Sequence, residues 1–508
     1  MENYKKNRIY TPKKINIWRS LGFGIGDFVG GGGQTIIGAW MLFFYTTYCN
    51  MTAVQGALIL SIARIVDAIV SLMMGTVTDN FYRFKLGRKF GRRHFFILIS
   101  APLLLVFFTA IWISGMSFWY YLTIYIAFDI VSTCKAIAWE TLPTEMTSNY
   151  DQRTLLSTTR MFISASATFL ATFLPAQLFR ILGTKTALPF FINGLTFGII
   201  FFIAMLIIFF STWERPVTKD MALELEKNRA QEGGAWIHFK AILKEYMSTL
   251  KIKSFRKHLY IYLLSFTGKD TFNIVFAYFI IYCLGSTAAT AANLLSLSII
   301  GLAVTLLAGW LMVKFGPRFL YISSYSLMIL MFLAYYLMFK MHPSNMILML
   351  YIISIIYQIG RATLEFVPWN VFPFIPDLDE LVTKQSRAGV FAATMNFVRK
   401  STVAVATLVV GFVLDSNGFA KNAVHQSLHT QNTIAAVLVI GAGGLIFLAL
   451  LVALTFKLNK KTHQVVLDEI TRLRNGGRKD DVNPEVQKIC EVLTGIKYAD
   501  MWKDIDKQ

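Results

Sequence analysis

Long apolar runs, broken by polar and basic stretches, recur along the whole chain. Each run is near 20 residues or longer, the length at which an α-helix crosses the hydrocarbon core of a bilayer. Twelve such spans are expected, at 20–48, 54–79, 95–114, 118–142, 155–179, 188–211, 258–284, 288–313, 318–340, 345–373, 386–415 and 432–457. The pattern predicts an all-α integral membrane protein with about twelve transmembrane helices. The polar stretches divide it into a segment 1–19, a six-helix bundle over 20–211, a linker 212–257, a second bundle over 258–457 and a tail 458–508.

Composition strengthens this picture and charge orients it. Hydrophobic residues make up 55% of the chain and charged residues 15%, whereas a soluble protein of this length carries more charge. The net charge of +20 would suggest nucleic acid if it were spread over a soluble surface. Of the 49 Lys and Arg, however, 38 lie in the termini and even-numbered loops, 4 in the other loops and 7 inside spans, with Arg318, Lys340, Arg387 and Lys457 at span edges counted in the adjoining loops. By the positive-inside rule both termini are cytoplasmic. The excess is then a topology signal with some attraction to anionic lipid headgroups, and no nucleic-acid partner is expected. Met1 to Arg19 is polar and basic and lacks the apolar core of a cleavable signal. The expected location is the cytoplasmic cell membrane. Cys49, Cys134, Cys283 and Cys490 are too dispersed to imply a disulfide framework.

A duplication is written into the spans. Lys135-x-x-x-Trp139-x-x-x-Pro143 returns as Glu365-x-x-x-Trp369-x-x-x-Pro373, and the two tryptophans stand 230 positions apart. Gly75-x-x-x-Asp79 with its basic loop (Lys85, Arg88, Lys89, Arg92, Arg93) has a degenerate counterpart at Gly309 to Arg318, 234 positions on. Two motifs with nearly one offset predict two pseudo-symmetric halves, each placing a charge and a Trp at one depth. A binding site between repeats has this form. The basic loops are expected to latch the cytoplasmic face.

Charges inside spans are the candidate chemistry, because each is costly in lipid and needs a partner, a cavity or a ligand. Asp27 follows Gly22, Gly24 and Gly26 and precedes Gly30 to Gly33, glycines that let helices approach closely. Arg64, Asp67 and Ser71 fall three and four apart on one helical face. They form either a structural Arg–Asp pair or a site where oxygen ligands hold a small cation or a proton. Ser132, Lys135 and Trp139 share a face in the same way, and Arg160 lies in the fifth span. The second half carries Lys269, Asp270, Arg361, Glu365, Asn396, Arg399 and Lys400. Lys135 suggests either an anionic substrate or a buried partner of Glu365 or Asp67. A surface helix is expected over 236–246, and no chemistry is assigned to the tail. There is no Gly-x-Ser-x-Gly, P-loop or His-Glu-x-x-His, and Gly22-x-Gly24-x-Gly26 runs into apolar span instead of a strand–turn–helix unit. An enzyme is not expected, nor a bound cofactor.

Gly22-Phe-Gly24-x-Gly26-Asp27, Ala63-Arg64-Ile-x-Asp67-Ala-Ile with Met74-Gly75, and Trp139-x-x-x-Pro143 together resemble the glycoside–pentoside–hexuronide:cation symporters, the melibiose-permease-like branch of the major facilitator superfamily. The resemblance implies the major facilitator fold and alternating-access symport of a sugar, glycoside or short oligosaccharide by a monomer. It places sugar recognition on Asp27, with Trp139 stacking on the sugar, and matches Arg160 and Lys400 to basic residues of the family. It places cation coupling on Asp67, with Ser71 where the family's second carboxylate stands and Ser132 as a hydroxyl neighbour. Lys135 replaces a family carboxylate, which turns the expectation toward an anionic, uronic-acid-type sugar. Glu365 and Trp369 join the substrate site through the repeat, and the coupling ion is H+ or Na+, with sodium at Asp67 as the one metal considered. A lysolipid symporter on the same fold and a transporter-like membrane sensor stay open as alternatives.

Overall fold

The computed structural model of the protein describes residues 8–147, 149–216, 244–385, 387–421 and 423–502. Most of the surface helix expected over 236–246 lies outside them. Among the described residues the regular structure is entirely helical. In the first half α1 (Ile17–Gly24), α2 (Gln34–Tyr48), α3 (Ala53–Asn80), α4 (His94–Ile111), α5 (Phe118–Glu140), α6 (Tyr150–Leu182) and α7 (Leu188–Ser211) account for the six expected spans. The second half follows with α8 (Lys253–Tyr278), α9 (Ala288–Ser296), α10 (Ile300–Phe315), α11 (Pro317–Met341), α12 (Met346–Val371), α13 (Ile375–Thr383), α14 (Ala388–Ser416), α15 (Leu428–Ala436) and α16 (Gly443–Leu454). Two tail helices, α17 (Lys460–Arg474) and α18 (Pro484–Thr494), complete it.

Ten helices among the described residues are long and apolar enough to cross a membrane. The first and seventh expected spans are helical but fall outside that set for visible reasons. The first is broken into α1 and α2 by a π turn at Phe28–Gly33, directly after Asp27. The seventh, α8, is diluted by Lys253, Arg256, Lys257, Lys269 and Asp270 and runs into a π turn at Phe279–Cys283. Local chemistry sets the other starts. Thr52 opens α3 with a capping box, its side chain accepting from Gln55 N while the Gln55 side chain accepts from Thr52 N. Ser117 and Asn149 cap α5 and α6 by accepting from the N–H groups of Tyr120 and Gln152. Large side chains such as Val106, Ile203, Phe210, Leu330, Leu333 and Phe447 are exposed. On helices this apolar, such a surface is the one lipid covers.

The chain forms two compact units: 1–231 with 273–299 and 403–435, and 232–272 with 300–402 and 436–508. They do not coincide with the halves expected from the repeat. Parts of the seventh, eighth, eleventh and twelfth spans pack into the first unit. There α9 lies on α6, Thr46 meets the Tyr278 hydroxyl at 2.9 Å, and Ser61 donates to Ala404 O. Asp415 accepts from the Ala53 and Val54 N–H groups at 2.8 Å each, closing over the first turn of α3. The basic loop after α3 is also tied within this unit. Arg92 and Arg93 pair with Glu145, and Glu214 accepts from their backbone N–H groups. In the second unit α10 and α11 pack on α12, α11 on α16, and α17 on α13.

Candidate functional site

The break after α1 organises the first-half site. Where a helix is interrupted its carbonyls lose their N–H partners and need other donors. Trp139 on α5 donates its indole N–H to Phe23 O at 2.9 Å, and Lys135, one turn away, donates its ammonium to Gly26 O at 2.7 Å. Phe23 also stacks on the indole at 5.1 Å. Gly26 lies so near it that a Cβ there would come within 2.6 Å of the ring. Lys135 Nζ sits 4.4 Å from the Trp139 ring centre, and the Arg160 guanidinium from α6 sits 4.5 Å from it. Arg160 reaches onward to Asp27 at 3.5 Å and Glu140 at 3.0 Å.

Exposure separates these residues into a scaffold and a face. Trp139 and Lys135 are 1% and 2% exposed, whereas the side chains of Arg160 and Glu140 are 34% and 50% exposed. The ring expected to stack on a sugar is therefore buried in this structure, with Arg160 on the indole. Lys135, expected to meet an anion or to pair with Glu365 or Asp67, is occupied by the carbonyl of the helix break. Arg160 and Glu140 present the exposed hydrogen-bonding edge, and Asp27, its side chain 13% exposed, lies behind Arg160.

A second cluster lies between α2, α3 and α5. Asp67 is 2% exposed and accepts from the Thr133 hydroxyl. Ser71 reaches it as the i,i+4 spacing suggests, donating to Asp67 O at 2.7 Å and lying 3.4 Å from the carboxylate. Arg64 bonds Gln34 and lies 3.9 Å from Asp129. The hydroxyl from α5 is thus Thr133, one residue beyond the expected Ser132, which is half-buried. The sequence signal for it is the Asp129–Thr133 spacing, one helical turn on the face that meets α3. Gln34 carried no such signal.

The second half gathers its charges on α8, α12 and α14. Glu365 accepts from Lys269 at 3.0 Å and from Arg361 at 3.2 Å. Arg399 pairs with Asp270, and Lys269 also approaches Asp270 at 3.9 Å. Phe266 underlies both cations, 4.6 Å from Lys269 and 5.4 Å from Arg399. Lys400, next to Arg399, is half-buried. Trp369, one turn beyond Glu365, is 44% exposed and packs edge-on against Tyr262 at 5.7 Å.

The two halves differ in charge balance. Asp27, Asp67, Asp129 and Glu140 outnumber Arg64, Lys135 and Arg160 by one in the first. Lys269, Arg361, Arg399 and Lys400 outnumber Asp270 and Glu365 by two in the second.

Residues 22–460 match the family described as MFS/sugar transport protein. The isoprimeverose transporter of Lactiplantibacillus pentosus is 22% identical over 58% of this chain and 59% of its own length. A putative sulfoquinovose importer of Salmonella typhimurium is 22% identical over 94% of this chain and 98% of its own length. Among solved structures, a D-xylose-proton symporter superposes with a TM-score of 0.59 at 14% identity, covering 87% of this chain and 97% of that one. That likeness bears on the fold alone.

Proposed function

This chain belongs to the MFS/sugar transport protein family, and on that premise we propose that it is a secondary transporter carrying a sugar or glycoside in symport with a cation by alternating access. It is a multi-pass membrane protein and a transporter in kind, not an enzyme. The observation that carries the coupling is Asp67, a carboxylate buried in a span with Thr133 and Ser71 hydroxyls against it. Hydroxyl and carboxylate oxygens are the ligand type that suits H+ or Na+. Arg64 with Asp129 and Gln34 holds the neighbouring helices around it.

Sugar recognition falls to Asp27, Arg160 and Glu140, with Arg160 and Glu140 accessible and the Asp27 carboxylate behind Arg160. Trp139 and Lys135 hold that edge in place, with the indole as the platform under Arg160. Glu365, Trp369 and Lys400 are assigned to substrate recognition within the second half. The surplus of basic groups there favours an acidic sugar of the uronic-acid type. Both termini face the cytoplasm by the distribution of Lys and Arg, and a monomer suffices. Counterflow in proteoliposomes tests the proposal: a panel of unlabelled sugars inside should drive entry of at least one labelled sugar. Entry driven only by lysophospholipid, or no exchange with any sugar, would refute it.

A further inference from the structure

The second-half cluster holds more positive charge than its own carboxylates neutralise, and one of its donors is unused. Within it, Lys269 and Arg361 share the single carboxylate of Glu365. Arg399 is engaged by Asp270 through Nη2, yet its Nη1 is buried without a hydrogen-bond partner among the described residues. An unmet buried guanidinium N–H is costly, and charged groups are the costliest to leave so. Glu365 is the most open member, its side chain 40% exposed against 13% for Lys269, 10% for Arg361 and 16% for Arg399. One helical turn along α12 stands Trp369, 44% exposed, with Tyr262 at its edge.

We infer that this cluster is the receptor for the anionic group of the substrate, a carboxylate or sulfonate carried on a sugar ring that rests against Trp369. The inference deepens the proposed sugar transport and rests on it. Glu365 and Trp369 lie one helical turn, about 5.4 Å, apart on one face of α12. The geometry therefore offers ring and charge separate seats on one face. A planar guanidinium with a free donor suits a carboxylate, which accepts two parallel bonds. Glu365 then acts as the resident counterion: it holds Lys269 and Arg361 together while the seat is empty and competes with the incoming anion. Lys135 has the charge for this task but spends its donor on Gly26 O within a buried corner. The acid is thus assigned to the second-half cluster and not to Lys135.

The test compares ligands on the purified full-length protein. Methyl β-D-glucuronide and methyl β-D-glucoside compete for binding, and the ratio of their affinities is the readout. The unmodified protein should favour the glucuronide. Glu365→Gln removes the competing counterion, so the ratio should rise about tenfold, a gain that misfolding cannot mimic. Asp270→Asn with Arg399→Gln removes the free donor while leaving neither partner as a lone buried charge, and the ratio should fall about tenfold. A glucuronide preference unchanged in both variants but lost in Lys135→Gln would overturn the inference and leave acidic-sugar transport standing. No glucuronide preference in the unmodified protein would overturn both.

Discussion

The two halves carry the same charge–x-x-x–Trp motif and use it in opposite ways. In the first half Lys135 and Trp139 are buried and bonded to backbone carbonyls at the break after α1. In the second, Glu365 and Trp369 are partly open, and Glu365 lies between two cations. The difference follows from what each motif meets. A broken helix presents acceptors, so it draws in a cation and an indole N–H. The unbroken α8 presents Lys269, so it draws in a carboxylate. A duplicated pattern thus preserves depth and spacing while its neighbours decide whether it becomes scaffold or binding surface. On the proposed reading the first half takes the cation and the second half, with its Lys269, Arg361 and Arg399, takes the anion.

Asp67→Asn strikes this contrast hardest. Removing the charge of this carboxylate should abolish gradient-driven accumulation while sugar exchange persists; unchanged accumulation in vesicles would take coupling away from Asp67. Next comes Asp27→Ala. Charge-assisted hydrogen bonds contribute about 1.5–3 kcal/mol each, so sugar affinity measured by calorimetry should fall about 10- to 150-fold. Acidic and neutral sugars should lose alike, and a loss confined to acidic sugars would place charge recognition in the first half.

Much of this was legible in the sequence, and the misses have physical causes. Runs of apolar residues announce spans because lipid demands continuous helices, whereas the glycines around Asp27, expected to let helices pack closely, coincide with a break in the first span. The Asp67–Ser71 contact follows from helical spacing. Thr133 was missed because the face shared by Ser132, Lys135 and Trp139 drew attention to their side of α5. Which helix crosses which is not written in any one span, so the Arg399–Asp270 and Arg64–Asp129 pairs surfaced only in three dimensions. The compact units also cut across the repeat, since sequence offset records ancestry and not packing. The tail was given no chemistry, yet it folds onto α13 through His463–Asp377 at 2.6 Å and Arg474–Glu380.

Smaller effects sharpen the contrast. Lys135→Met should leave the Gly26 carbonyl without its donor, costing about 1–3 kcal/mol of stability, visible as a lower thermal midpoint. The preference between glucuronide and glucoside should stay as it was; a lost preference would make Lys135 a recognition residue. Arg474→Ala breaks a pair whose arginine is 61% exposed. Such pairs contribute at most about 1 kcal/mol, so thermal stability should shift little and uptake should match the unmodified protein.

The most direct measurement is uptake of labelled sugar into proteoliposomes under an imposed proton or sodium gradient. Internal sugar should rise above the external concentration under one of these gradients and relax to it when an ionophore collapses that gradient. Simple equilibration under every imposed gradient would contradict cation-coupled symport.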